Sequence, residues 1–157
     1  LKLIFLFAFA ASALAQLPIS VGIKAGYVDN RQPFSAIARL KGGPYLELSL
    51  PVLPTFETGI MFERLRLGPQ TLTVYQVPIL VKKRINAVAI KPFFSGGVTL
   101  RRVPTFNESH PGLTLAGGVT IGLLPIKIEP EVRFTRWIFP SYNPRSQQTE
   151  FLVGIRF

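Results

Sequence analysis

The single histidine of the chain, His110, follows Glu108 and Ser109. An acid, a hydroxyl and an imidazole are the three groups of a nucleophilic relay. Such a relay needs each group bonded to the next, and three consecutive residues project in different directions, so Ser109 or His110 would need a partner elsewhere. The run ends in Pro111-Gly112 and reads as a polar loop tip. Glu129 and Glu131 are a second candidate, two carboxylates on one strand face in the manner of an acid–base pair. Lys127 and Arg133 flank them on that face, so ion pairing accounts for them more simply. One His and no Cys exclude a multi-His metal site, a Cys-ligated cluster and a Cys nucleophile. No phosphate loop and no Gly-x-Ser-x-Gly elbow is present, so the sequence implies no cofactor.

The elements that carry these groups are set by composition and period. Of 157 residues, 48% are apolar and 17% charged, and the mean hydropathy is positive, as in a chain that faces something apolar. Yet 14 Pro and 13 Gly are spread along it, leaving no apolar run of about 18 residues beyond the N-terminus and so no membrane helix. Residues 1–15 place Leu1-Lys2 before an apolar run and close on Ala13-Leu14-Ala15. This is the pattern of a cleavable export signal, with residues 16–157 as the mature domain.

From Pro18 onward the period is two, as in strands whose successive side chains point to opposite faces. Eight such runs are expected: 19–27, 45–50, 56–63, 75–82, 90–100, 113–121, 126–135 and 148–157. In each, one face is mostly apolar, as with Val21, Ile23, Ala25 and Tyr27 against Gly22, Lys24 and Gly26. Strands of about ten residues cross a bilayer at a tilt, and only a closed barrel leaves no strand edge in lipid. The expected fold is therefore all-β, an eight-stranded antiparallel up-and-down transmembrane β-barrel. Short links at 51–54, 84–88 and 124–125 alternate with longer ones near 29–43, 64–73, 101–112 and 136–147. That is the order of tight periplasmic turns and extracellular loops.

Placed on this scheme, the inward face carries Lys24, Lys82, Lys91, Lys127, Arg133 and Arg156 against Glu47, Glu57, Glu63, Glu129, Glu131 and Glu150. Six charges of each sign in a narrow interior imply a mutually paired network. An eight-stranded lumen is just wide enough for side chains to fill, which argues against an open pore. The formal net charge of +10 then comes chiefly from the loops, where Arg31, Arg39, Lys41, Arg64, Arg66, Arg101, Arg102, Arg136 and Arg145 stand against Asp29 and Glu108. Nucleic acid is not the expected partner of an exported barrel. Lipopolysaccharide phosphates and other anionic polymers are the nearer partners, because Arg pairs with phosphate through a bidentate fork; the alternative is a solvated basic rim with no specific ligand, since charge sign alone gives only non-specific attraction.

The strand Pro92-Phe93-Phe94-Ser95-Gly96-Gly97, the strand Pro130 to Trp137, the opening Val21 to Gly26 and the ending Glu150 to Phe157 carry a resemblance. On them the chain resembles the small eight-stranded outer-membrane β-barrel proteins of Gram-negative bacteria, the porin-like family that includes the transmembrane domain of outer membrane protein A. The resemblance implies an integral protein of the cell outer membrane with a structural or surface-interaction role. It also implies that Phe151, Val153, Ile155 and the terminal Phe157 are the signal read by the barrel-assembly machinery. Some barrels of this kind modify lipid A, which makes a hydrolase centred on His110 the enzymatic alternative. A soluble lipocalin-like carrier is the other alternative, and it would place apolar residues inside and polar ones outside.

Overall fold

The computed structural model describes residues 18–29, 39–49, 53–67, 70–86, 90–104, 108–123, 125–138 and 147–157. Nine strand segments make one antiparallel sheet: β1 (Ile19–Asp29), β2 (Arg39–Leu48), β3 (Thr55–Gly59), β4 (Met61–Leu67), β5 (Gln70–Arg84), β6 (Ile90–Val103), β7 (Glu108–Leu123), β8 (Ile126–Trp137) and β9 (Gln147–Arg156). Because β1 pairs with both β2 and β9, the sheet closes on itself.

The segments β3 and β4 are one barrel strand. Tyr45↔Gly59 on one side of the interruption and Gly42↔Phe62 on the other keep the same register against β2. The position between them pairs Ile60 with Pro44, where Ile60 N–H donates to Pro44 O at 3.0 Å and proline has no N–H to return. The ladder lapses for one residue and resumes, so the barrel has eight strands.

The pleat sorts the side chains as the alternation requires. Leu115 and Phe94 are 66% and 62% exposed on the outer face, while Lys82 and Glu63 are fully buried within. The molecule is thus apolar outside and ionic inside, the reverse of what a soluble carrier barrel needs.

The expected strict alternation of short and long links is corrected. One end of the barrel has the links 49–54, 85–89 and 124–125, here the turn end; the other has 30–38, 68–69, 104–107 and 138–146, the loop end. The link expected at 64–73 shrinks to 68–69, because β4 and β5 stay paired from Met61↔Gln76 to Leu67↔Gln70. Apolar alternation marks where a strand lies in an apolar medium, but hydrogen-bonded pairing continues beyond it, so strands of up to 16 residues outrun their apolar stretches. His110 is corrected with them: it lies within β7 and not in a loop tip.

Candidate functional site

Inward-facing positions on all barrel strands converge on a lumen filled by ion pairs. At its middle, Glu57 meets Lys24 Nζ at 2.5 Å, Arg133 Nη2 at 3.0 Å and also Lys82. Glu131 takes the other contacts of Lys24 and Arg133, both at 2.7 Å. Toward the turn end, Glu47 is shared by Lys82 at 2.6 Å, Arg84 at 2.6 Å and Arg156. Glu129 is shared by Arg84 at 3.0 Å, Arg156 at 3.2 Å and Lys82 at 3.3 Å, and Thr120 donates to it at 2.8 Å. A buried charge is tolerable only when paired and hydrogen-bonded, and each of these four acids has more than one cation.

Toward the loop end, neutral amides enter the network. Lys41 Nζ donates to Glu150 and to Gln76 Oε1, each at 2.5 Å, and Gln76 Nε2 donates to Glu63 at 2.9 Å. Gln148 Nε2 donates to Glu150 at 2.6 Å while its carbonyl accepts from Trp137 Nε1 at 3.2 Å. On β6, β7 and β8 the hydroxyls of Thr99, Thr114 and Thr135 form a chain at 2.7 and 3.0 Å.

Three aromatic rings complete the filling, and each faces a glycine in register: Tyr45↔Gly22, Phe93↔Gly118 and Trp137↔Gly112. A Cβ on Gly22 would lie 2.5 Å from the Tyr45 ring, and one on Gly118 would lie 2.7 Å from the Phe93 ring. The missing side chain is what lets the ring lie flat across the neighbouring strand. The rings in turn carry cations, with Lys24 4.6 Å from the Tyr45 centroid and Lys82 4.4 Å from that of Phe93.

Of the twelve residues expected in the lumen, Lys24, Lys82, Arg133, Arg156 and all six glutamates are buried there. Lys91 and Lys127 are corrected: both fall on inward-facing positions at the turn end, where the strand leaves the lumen, and both are exposed. Lys41, expected among the outer anion contacts, is corrected in the other direction and is buried against Glu150. Arg84, read as part of a turn, closes β5 inside the network. Both omissions were countable in the sequence, since Arg84 is two residues beyond Lys82 and Lys41 four before Tyr45, on the same faces.

Arg64, Arg102 and Arg136 are exposed in the loop-end halves of β4, β6 and β8. Arg101 is half-buried, its guanidinium 5.4 Å from the Trp137 ring centroid. The backbones of Arg39 and Arg66 lie in β2 and β4. Arg31, Arg145 and the expected export signal lie outside the described residues. Phe151, Val153, Ile155 and Phe157 point outward from the last strand and its end, all exposed. Ser109 is exposed, while His110 is half-buried, opposite Arg101 in register. Successive strand residues face opposite ways, so the two cannot relay a proton between them. Among the described residues no three His, Cys, Asp or Glu could hold a metal ion.

No protein-family model matches the chain, and no curated protein does. Solved structures do. Neisserial surface protein A (NspA) superposes with a TM-score of 0.68 at 12% identity, covering 88% of this chain and 96% of that one. Ail, the attachment invasion locus protein of Yersinia pestis, gives 0.54 at 14% identity, over 88% and 96%. The N-terminal β-barrel domain of Pseudomonas aeruginosa OprF gives 0.52 at 11%, over 88% and 97%. All three are eight-stranded outer-membrane β-barrels, and this chain has their fold.

Proposed function

We propose that the chain is an integral outer-membrane protein with a structural or surface-interaction role, its barrel a solid scaffold and its loop-end arginines contacts for lipopolysaccharide phosphates or similar anionic polymers. The observation that carries the reading is the inversion of the molecule: apolar side chains such as Phe94, Leu115 and Phe151 are exposed while eleven charged groups, five cations and six glutamates, are buried and Arg84 is half-buried beside them. A surface of that kind is stable against hydrocarbon and not against water. The arginines of the loop-end halves, Arg64, Arg102 and Arg136, stand exposed where that face leaves the apolar band, the depth of lipid phosphates. The outward residues of the last strand serve assembly in this reading.

The test has two parts. Refolded in detergent, the protein should show a band whose mobility changes on boiling, and in cells it should fractionate with the outer membrane. A soluble protein without a mobility shift overturns the membrane reading. Binding of purified lipopolysaccharide should then weaken in the triple variant R64Q/R102Q/R136Q, and unchanged binding would remove the lipopolysaccharide role while leaving the barrel intact.

A further inference from the structure

At the turn end, positive charge outnumbers the acids able to meet it. The buried network is balanced, with Lys24, Lys41, Lys82, Arg84, Arg133 and Arg156 against six glutamates. Lys91 and Lys127 lie beyond it, exposed on inward-facing positions at the turn-end mouth. Lys127 is in register with Arg156 and stands in the field of Arg156, Arg84 and Lys91, which Glu129 only partly offsets. No further acidic side chain of the sequence belongs to this mouth. Of its eight Asp and Glu, six are the lumen carboxylates, and Asp29 and Glu108 belong to the loop end. The turn segments 49–54, 85–89 and 124–125 contain none.

Two exposed lysines on inward-facing positions therefore share the turn end of the closed barrel, where their fields add. The two arginines behind them are committed to Glu47 and Glu129, so the mouth offers ammonium point charges and no free planar fork. Point charges select by charge density, as in lysine-based phosphate sites, and not by carboxylate geometry. Their inward-facing placement turns them from the surrounding lipid, toward which Lys83, on the opposite parity and exposed, is directed. We propose that the turn-end mouth of the barrel binds a soluble multivalent phosphate-class anion through Lys91 and Lys127.

The full chain, refolded in zwitterionic detergent and checked by its gel mobility, is titrated calorimetrically with tripolyphosphate. Saturable binding is expected, weaker at higher salt, reduced about tenfold or more in K91Q/K127Q, where two charge-assisted contacts are lost, and retained in K91R/K127R. The variant K83Q, at the same end but on the outward face, should bind as the parent does. No binding by the parent, or equal binding by K91Q/K127Q, overturns the site. A second arm uses phosphatidylcholine vesicles with and without phosphatidylglycerol. If Lys91 and Lys127 matter only for association with the anionic vesicles, and tripolyphosphate does not bind, the ligand is a lipid headgroup and the soluble-anion site is overturned.

Discussion

Around Glu57 five charged side chains, Lys24, Lys82, Arg133, Glu131 and Glu57 itself, meet with nothing neutral between them. Around Glu150, the amides of Gln76 and Gln148 are interposed among Lys41, Glu63 and Glu150. An amide both donates and accepts, so it can re-aim when a neighbour is lost, whereas a carboxylate only accepts and an ammonium only donates. The middle of the lumen should consequently behave as one unit that tolerates no deletion, and the loop end as a set of separable contacts. Which of the two dominates stability can be measured by urea unfolding of the protein in lipid vesicles.

The largest effect is expected from Glu57→Ala, which leaves Lys24, Lys82 and Arg133 short of a shared carboxylate and should cost about 3–5 kcal/mol. Glu57→Gln should cost less, because one acceptor remains. A loss under about 1 kcal/mol for the alanine variant would mean that water substitutes for the acid, and the middle would then resemble the loop end. Next comes Gly118→Val, whose side chain must displace the Phe93 ring and should cost about 1–3 kcal/mol. Adding Phe93→Ala should recover part of that loss if the ring is the obstacle, and none if the Pro130 carbonyl, 2.3 Å from the new Cβ, is the harder contact.

At the loop end, Gln148→Leu removes the link between Trp137 and Glu150 and should cost about 1–2 kcal/mol, a smaller change than any deletion of a central charge. A loss as large as that of Glu57→Ala would erase the distinction between the two regions. Smallest of all, Thr99→Val takes one hydroxyl from a chain of three and should shift stability by about 0.5–1.5 kcal/mol.

Much of this architecture was legible because a strand's period of two is short and every lumen charge obeys it. Lys24, Glu57 and Arg133 were assignable to the inside with no knowledge of their partners. What parity cannot supply is depth. Lys91 and Lys127 have the inward parity of the paired lysines, yet they sit where their strands emerge, and nothing in a one-dimensional pattern says that the lumen has ended. Lys41 erred in the opposite sense, because Gly42-Gly43-Pro44 interrupts the apolar alternation of β2 and reads as a loop. In the structure these residues pair with β1 from Ile23↔Pro44 to Ala25↔Gly42. His110 was lost to the same cause, since Pro111-Gly112 is a turn signal unless a neighbouring strand supplies hydrogen bonds, as β6 does. Partner choice was never in the sequence: that Lys41 meets Glu150 depends on closure of the barrel.

The pairing of first strands with last has a kinetic consequence. Lys24 reaches Glu131 across 107 residues, Lys41 reaches Glu150 across 109, and Arg156 reaches Glu47 across 109. The hairpin of β1 and β2 holds none of the counter-ions of Lys24, Lys41 and Glu47, which lie on β3, β5, β8 and β9, so it would enter hydrocarbon alone with uncompensated charge and bare edges. On the membrane reading proposed above, insertion one hairpin at a time is closed to such a chain. Its strands must gather at the water boundary, or be held by a helper, until the two ends of the polypeptide meet, which makes membrane entry a single concerted crossing with a high contact order.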